Sequence, residues 1–192
     1  AQASHPRHPE VMLRLLDGLE AMARRDDFIT TAREYLSRYP DSAGAIGVVQ
    51  RLGDALVRKR KPLEAASAHR ALWLHKPIAA NRVAAQRASE LYATTGNSRL
   101  RVRSAEMSES LLDKLPGGEF TLRAGLRAVH EYRHLSRWAE ATQVAMKMFK
   151  KRLPLSRVMQ HELHRLTAAS YASQSQWANA DASLRKARAL RD

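Results

Sequence analysis

Two pairs of histidines have a spacing that places imidazole rings on one face of a helix. His130 and His134 are four residues apart, and His161 and His164 are three apart. Neutral imidazole is a good zinc ligand, so each pair presents part of a metal site. No carboxylate accompanies either pair in a recognised zinc-binding order. Because a helical chain with eight histidines shows such spacings by chance, we expect no metal site and no cofactor.

The sequence contains no recognisable arrangement of catalytic residues. The absence of cysteine removes disulfides, thiolate ligands and cysteine nucleophiles. No glycine-rich phosphate-binding loop occurs, and Gly117-Gly118 is typical of a helix break. Paired carboxylates in a catalytic setting and a nucleophile turn with Ser, His and Asp are also missing. The sequence therefore predicts a protein without enzymatic activity.

Positive charge is the strongest chemical feature of the chain. There are 33 Lys and Arg against 19 Asp and Glu, which gives a formal net charge of +14. Such a balance favours an acidic protein, nucleic acid, an anionic glycan or a membrane surface as partner. Residues 1–41 carry six basic and seven acidic side chains, so the excess begins after them. No apolar run approaches the roughly 20 residues that span a bilayer, and we expect no membrane insertion.

Basic side chains also form three local runs, one of which consists of Arg99, Arg101 and Arg103. The segment Lys147–Arg152 closes a predicted helix, where cations interact favourably with exposed carbonyl groups and with the helix dipole. The segment Arg58–Lys61 lies in a predicted turn and has no such structural explanation. It is therefore the better candidate for an electrostatic contact with a partner.

Regularly spaced prolines indicate which elements carry these side chains. Intervals of 34, 37, 39 and 38 residues separate Pro6, Pro40, Pro77, Pro116 and Pro154. Proline ends a helix and disfavours helix in the residue before it, and a stop at this interval is typical of stacked helical hairpins. We predict an all-α chain of five antiparallel helix pairs, ten helices in all. Its repeats span residues 9–41, 42–78, 79–117, 118–155 and 156–192 of a single domain, 1–192.

Apolar residues keep helical spacing on both sides of each predicted turn. In the second repeat, Leu52, Gly53 and Leu56 mark the first helix, and Ala65 and Leu72 mark the second. Small residues such as Gly53 and Ala65 let two antiparallel helices approach closely. In the first repeat, we place the turn at Asp26-Asp27.

Aromatic residues recur at matching places in successive repeats. Tyr92, Tyr132 and Tyr171 do so in first helices, and Trp138 and Trp177 in second helices. Such residues normally fill the seam between neighbouring hairpins, and we favour that interpretation. The alternative is a set of platforms on which a ligand stacks.

The pattern resembles the tetratricopeptide repeat. The matching residues are Leu52, Gly53, Leu56, Ala65, Leu72 and Pro77, and then Ala168, Tyr171, Trp177, Ala180 and Ala187. The resemblance covers nearly the whole chain, although the later repeats are longer than the usual 34 residues and lack the early Trp of the first helix. It implies a right-handed α-solenoid, a TPR-like superhelix whose first helices line a concave groove that holds a peptide or a partner protein.

The resemblance also implies which side chains face that groove. The expected partner-binding residues are mostly cationic: Arg58, Gln86, Arg123, His130, Arg133, His134 and Arg165. A guanidinium group presents a planar fork to carboxylate or phosphate, so Arg123, Arg133 and Arg165 are the preferred contacts. A solvated arginine face without a dedicated ligand is the alternative. The paired Asn and Lys with which one family variant binds carboxylate termini are absent.

Two functions fit these features. The first is a non-enzymatic protein–protein interaction scaffold whose positive groove binds an acidic partner segment, in a bacterial export, secretion or envelope assembly such as polysaccharide export. The second is a binder of an anionic polymer, RNA or polysaccharide. Helical repeats that read RNA place base-selecting polar pairs at one fixed spot. Here that spot varies without order and is acidic in two repeats, which disfavours RNA: Asp54, Glu90, His130 and Ala169.

Both ends of the chain carry expectations of their own. The sequence begins at Ala1 without a Met, which fits a signal-peptidase cut and a periplasmic location. It fits a boundary within a longer, cytoplasmic chain equally well, and the residues upstream would decide. At the other end Trp177, Leu184 and Leu190 continue an apolar stripe where repeat arrays usually have a polar capping helix. We expect further repeats of a longer protein, or another subunit, against that stripe.

Overall fold

A computed structural model describes residues 8–95 and 97–190. Pro6 and Gly96 lie outside the described residues. The described part contains ten α-helices, one 3₁₀ turn at Ala79–Asn81 and no strand. The helices are α1 (His8–Ala21), α2 (Arg25–Arg38), α3 (Ala45–Arg58), α4 (Pro62–His75), α5 (Arg82–Thr94), α6 (Ser98–Lys114), α7 (Glu119–His134), α8 (Trp138–Lys150), α9 (Arg157–Ser173) and α10 (Trp177–Ala189). The all-α class and the ten predicted helices are confirmed.

The helices fall into two compact units, which divide between Leu91 and Tyr92 inside α5. In the N-terminal unit, α1 packs on α2, α2 on α3 and α3 on α4. In the C-terminal unit, each helix from α6 to α9 packs on the next one along the chain. Packing between sequential helices is the arrangement expected of helical hairpins. The single domain 1–192 and the five repeat boundaries stay predictions.

The regular prolines follow the second helices of the hairpins. Pro40, Pro77 and Pro116 lie two residues beyond the ends of α2, α4 and α6, and Pro154 lies four residues beyond α8. Each removes a backbone N–H that a longer helix would need. Pro62 has the opposite role, because it occupies the first turn of α4, where its missing N–H costs nothing. The regular spacing of prolines therefore marks helix ends, as predicted.

Four hairpins turn in the same way between their two helices. One residue of each turn has a φ between 50° and 60°, and the next residue donates its N–H to the carbonyl five residues back. This is the Schellman type of helix ending, which satisfies carbonyl groups that the helix leaves free. Glycine favours the left-handed position, but other residue types hold it here, so no glycine marked these positions in the sequence. They are Ala23, Arg60, Ser136 and Ser175.

The predicted turn at Asp26-Asp27 is wrong. The turn lies earlier, at Ala23, and α2 already begins at Arg25. Both aspartates therefore occupy the first turn of α2, where the helix dipole favours negative charge. Acidic residues are common both in turns between helices and in the first turn of a helix, so the two aspartates alone did not locate the start of α2.

In the N-terminal unit, α3 and α4 meet closely at Gly53. A Cβ at this position would collide with Nε2 of His69. His69 is only 3% exposed, and its Nδ1 has no hydrogen-bond partner within residues 8–95 and 97–190. Burial, together with the charge of Arg87, lowers the pKa of His69 to about 4, against a smaller opposing effect of Asp54. The ring is therefore neutral at pH 7.

In the C-terminal unit, α7 and α8 meet closely at Gly125. A Cβ there would lie 2.7 Å from Sδ of Met148, which is fully buried. Apolar side chains from α6 to α9 surround this contact, including Leu122 and Leu163. A buried thioether can fill such a space because it has three rotatable bonds and no strong hydrogen-bonding demand.

A polar network joins α6 to α7 and to α8. The Tyr132 hydroxyl donates to Glu109 at 2.8 Å, and Nζ of Lys147 donates to Glu109 at 2.7 Å and to Asp113 at 2.8 Å. Burial raises the pKa of Tyr132, and Glu109 raises it further. Lys151 donates to the carbonyl oxygens of the last turn of α6. The Tyr132 bond joins α6 to α7, which carries four of the predicted groove residues, and the lysine bonds join α6 to α8.

Candidate functional site

The seven predicted groove residues all lie on first helices, but their surroundings differ. Two belong to the N-terminal unit, Arg58 on α3 and Gln86 on α5. Five belong to the C-terminal unit: Arg123, His130, Arg133 and His134 on α7, and Arg165 on α9.

Gln86 and Arg123 are engaged by neighbours on their own helices. The amide of Gln86 donates to Glu90 at 2.8 Å. Arg123 forms an ion pair with Glu119, one turn earlier on α7, and is 75% exposed. An exposed pair of this kind contributes only a few tenths of a kcal/mol, yet it neutralises the charge locally. These two residues are weaker candidates for partner contact than the sequence predicted.

His130 and His134 contact each other rather than a common ligand. Their ring centroids are 4.4 Å apart and the rings meet edge to face. Partial burial lowers the pKa of His130, and the neighbouring His134 lowers it further. Among the described residues, no three His, Asp or Glu side chains gather as a metal site would require. Nothing in this arrangement supplies a third metal ligand.

Arg133 and Arg165 line a common groove of about 510 Å³ in the C-terminal unit. Side chains of α9 and α10 form most of it, and the end of α7 contributes Arg133. We call it the C-terminal groove. Its lining combines two arginines, two acidic residues and apolar side chains: Arg133, Glu162, Arg165, Leu166, Ala168, Ala169, Ala172, Trp177, Ala180, Asp181 and Leu184.

Arg133 carries an unneutralised charge. Its Cζ lies 5.8 Å from the centre of the Trp138 ring, a cation–π contact that fixes the guanidinium group. Its Nε is buried, and no acceptor for it occurs within residues 8–95 and 97–190. A buried donor without an acceptor is costly, and it is rare unless a ligand or water satisfies it. Arg133 therefore keeps its positive charge without an acidic partner among the described residues.

The other charges of the C-terminal groove neutralise one another within their own helices. Arg165 lies 3.3 Å from Glu162 on α9, and Asp181 lies 2.7 Å from Arg185 on α10. The formal charge of the lining is zero, since two arginines face two acidic residues. Arg133 is the one charged residue of the lining that has no ion pair in the described part of the chain.

The aromatic residues of the predicted seam have two different roles. Tyr92 and Tyr132 are buried, as a seam requires. Trp177 is 67% exposed at the edge of the C-terminal groove, so the seam prediction is wrong for it. With Leu184, which is 41% exposed, it offers an apolar surface beside Arg133. Trp73, which the repeat pattern did not single out, is fully buried.

The basic run Arg58–Lys61 has a structural explanation after all. Lys59 forms an ion pair with Asp26, and Lys61 lies 3.1 Å from Glu64. Arg60 occupies the left-handed position of the turn. Arg58 and Arg60 are the two residues of this run without an ion pair in the described part of the chain.

An apolar groove of the N-terminal unit was not predicted. It measures about 580 Å³ and lies between α2 and α4, with α3 as its floor. Leu36, Leu52 and Leu63 line it. In the sequence these residues are ordinary apolar positions of helices. The same pattern would occur if they filled a core, so the groove could not be predicted.

No family model matches the sequence, and no curated protein does. Solved structures are similar to it. One is a putative kinesin light chain with nearly identical TPR-like repeats from Podosopora anserina, with a TM-score of 0.52, 12% identity and coverage of 98% of this chain and 97% of that chain. Another is a double mutant of MamA RS-1, with a TM-score of 0.50, 10% identity and the same coverage. The chain thus has the fold of TPR-like helical repeats.

Proposed function

We propose that this protein is a non-enzymatic interaction scaffold that binds an acidic segment of a partner protein in the C-terminal groove. The unneutralised guanidinium of Arg133 is the single observation that carries the proposal. It is held by Trp138 and has a buried donor without an acceptor in the described part of the chain. A carboxylate would pair with this guanidinium through charge-assisted hydrogen bonds from its terminal Nη groups.

The composition of the C-terminal groove suits a protein segment that combines charge with an apolar anchor. Trp177 and Leu184 offer exposed apolar surface. Tryptophan and arginine are the residue types that most often dominate the energy of protein interfaces. Arg165 adds a second guanidinium group, whose weak pairing to Glu162 a stronger acceptor can replace. Complementary charge mainly sets the association rate and the choice of partner.

Binding of RNA or an anionic polysaccharide is the second candidate, and exposed Trp177 favours it as a stacking surface. The lining of the groove carries no formal net charge, whereas a polymer with a phosphate on each nucleotide needs an extended positive surface. Polyuridine binding at low salt that weakens steeply as salt rises would favour this candidate. The scaffold proposal expects little polyuridine binding even at low salt.

A charge reversal tests the scaffold proposal. We expect Arg133→Glu with Arg165→Glu to weaken the binding of a capped hexaglutamate peptide at least about tenfold, because two charge-assisted contacts become repulsive. The measurement is fluorescence anisotropy of the labelled peptide, and circular dichroism checks the fold.

The matched control reverses two arginines elsewhere in the C-terminal unit. Arg99 and Arg157 are exposed, lie in the first turns of α6 and α9, and do not line the groove. Glutamate is well tolerated at helix N-termini, so Arg99→Glu with Arg157→Glu changes net charge equally without straining the fold. Equal losses of affinity in both double variants would show that only net charge matters and would sink the proposal.

The expected setting of the scaffold is a bacterial export, secretion or envelope assembly. No described helix is both long and apolar enough to cross a membrane. The test is fractionation of cells that produce the protein from its natural gene. Recovery in the periplasmic fraction supports this setting, and recovery in the cytoplasmic fraction contradicts it.

A further inference from the structure

A small polar pocket in the N-terminal unit brings three arginines together. It measures about 140 Å³ and lies between the α1–α2 turn and α3. Arg25 is the first residue of α2, and Arg51 and Arg58 lie two helical turns apart on α3. We call it the arginine pocket. It is separate from the C-terminal groove, and of the seven predicted groove residues only Arg58 lines it.

Arg51 is held rigidly and still has unused donors. Its Nη1 donates to Asp17 at 2.6 Å and to Glu20 at 3.1 Å. Its Cζ lies 5.6 Å from the centre of the Phe28 ring, which adds a cation–π contact. A guanidinium group has five N–H donors in a fixed plane, so Nε and Nη2 remain available. A positioned guanidinium group loses little entropy when an anion binds.

Arg25 and Arg58 have no ion-pair partner in the described part of the chain. The acidic residues of the arginine pocket are Glu20, which is bound to Arg51, and Asp54. Three arginines and two acidic residues leave the lining with a formal charge of +1. Apolar groups such as Leu19 and Ala55 form the rest of the wall.

We propose that the arginine pocket binds a single carboxylate, the side chain of an acidic residue in a partner segment. Arg25 and Arg58 donate to it, and the free edge of Arg51 completes the site. The volume suits a carboxylate and its neighbouring methylenes, since one water occupies about 30 Å³ of the liquid. It is too small for a nucleotide. The inference rests on the proposed function only in taking an acidic protein segment as the natural source of the carboxylate.

The test observes the arginines directly. The full chain, labelled with ¹⁵N, is titrated with N-acetylglutamate methylamide while NMR records the Nε–H signals. We expect saturable shifts at Arg25, Arg51 and Arg58, and none with the matched uncharged probe, N-acetylglutamine methylamide. We expect Arg58→Gln to weaken this binding about tenfold, the usual effect of losing one hydrogen bond to a charged group.

Arg14→Gln is the matched control, because Arg14 is exposed on α1, has no ion pair among the described residues and does not line the pocket. Its affinity for the probe should equal that of the unchanged protein. Arg25→Gln provides a second pocket variant. Shifts that do not saturate, that occur equally with the glutamine probe, or that survive in both pocket variants would overturn the inference.

The test of the arginine pocket and the test of the C-terminal groove can each fail without the other. If the glutamate probe fails but hexaglutamate still distinguishes the two double charge reversals, only the arginine pocket is wrong. If the probe binds the pocket but hexaglutamate does not distinguish them, only the proposed groove is wrong.

Discussion

One hairpin of each unit closes around a glycine, but different side chains fill the space. At Gly53 in the N-terminal unit the neighbour is the ring of His69, and at Gly125 in the C-terminal unit it is the thioether of Met148. Both side chains are buried. Glycine thus sets the distance between the helices, whereas the partner sets the chemistry. Of these two helix contacts, only the one between Gly53 and His69 is therefore predicted to become less stable at acidic pH.

The largest expected effect is acid destabilisation through His69. The unfolded chain binds a proton on this residue below its ordinary pKa of 6.5, whereas the folded protein resists protonation until about pH 4. The stabilising contribution is therefore complete above pH 6.5 and is lost as pH falls towards 4. We expect the free energy of unfolding to fall by about 3 kcal/mol over that range. Urea unfolding at several pH values measures it.

The control for this prediction is His69→Met, which copies the Gly125–Met148 arrangement of the C-terminal unit. Burial also lowers the pKa values of His130 and His164. His130 and His164 lower the free energy of unfolding at acidic pH in both the unchanged protein and the His69→Met variant. The difference in pH dependence between these two proteins therefore reports on His69. An equal pH slope in the variant and the unchanged protein would refute the role of His69.

The next effect compares the two glycines directly. Gly53→Ala should reduce the free energy of unfolding by about 2 kcal/mol, because the rigid ring of His69 cannot move out of the way. Gly125→Ala should cost about 1 kcal/mol or less, because Met148 can change rotamers and alanine favours helix. Chemical denaturation measures both. A larger loss of unfolding free energy for Gly125→Ala than for Gly53→Ala would contradict this difference between the two units.

The smallest expected effect concerns the ion pairs that join neighbouring hairpins in each unit. In the C-terminal unit Lys147 joins Glu109 to Asp113, and although burial opposes its charge, these hydrogen bonds raise its pKa overall. Lys147→Met leaves two neighbouring carboxylates without a cation and should cost about 1 kcal/mol. In the N-terminal unit Lys59→Met removes an exposed pair with Asp26, which solvent screens, and should reduce the free energy of unfolding by less than Lys147→Met does. Equal losses in urea unfolding would contradict this ranking.

The helices could be predicted because their signals are local. Proline spacing and apolar periodicity depend on neighbours within a few residues, and they placed all ten helices. The turns were harder, since Ala23 and Arg60 hold left-handed positions that glycine usually marks. Their geometry is imposed by the packing of the two helices rather than by the turn residue itself.

The candidate site was only partly predictable. The pairing of Arg123 with Glu119 follows from their spacing of four residues and could have been recognised from the sequence. The pairing of Lys59 with Asp26 spans 33 residues, about one repeat, and depends on how hairpins pack. The exposure of Trp177 and the buried Nε of Arg133 likewise depend on tertiary structure. Sequence spacing alone does not contain that information.

The most direct test of the proposed function is the indole N–H signal of Trp177 during titration with capped hexaglutamate. Binding in the C-terminal groove predicts a saturable shift of this signal, with Trp73, fully buried in the N-terminal unit, as a stationary reference. The midpoint should weaken at least about tenfold in Arg133→Glu with Arg165→Glu and stay unchanged in Arg99→Glu with Arg157→Glu. A stationary Trp177 signal, or equal midpoints in both variants, would contradict the account.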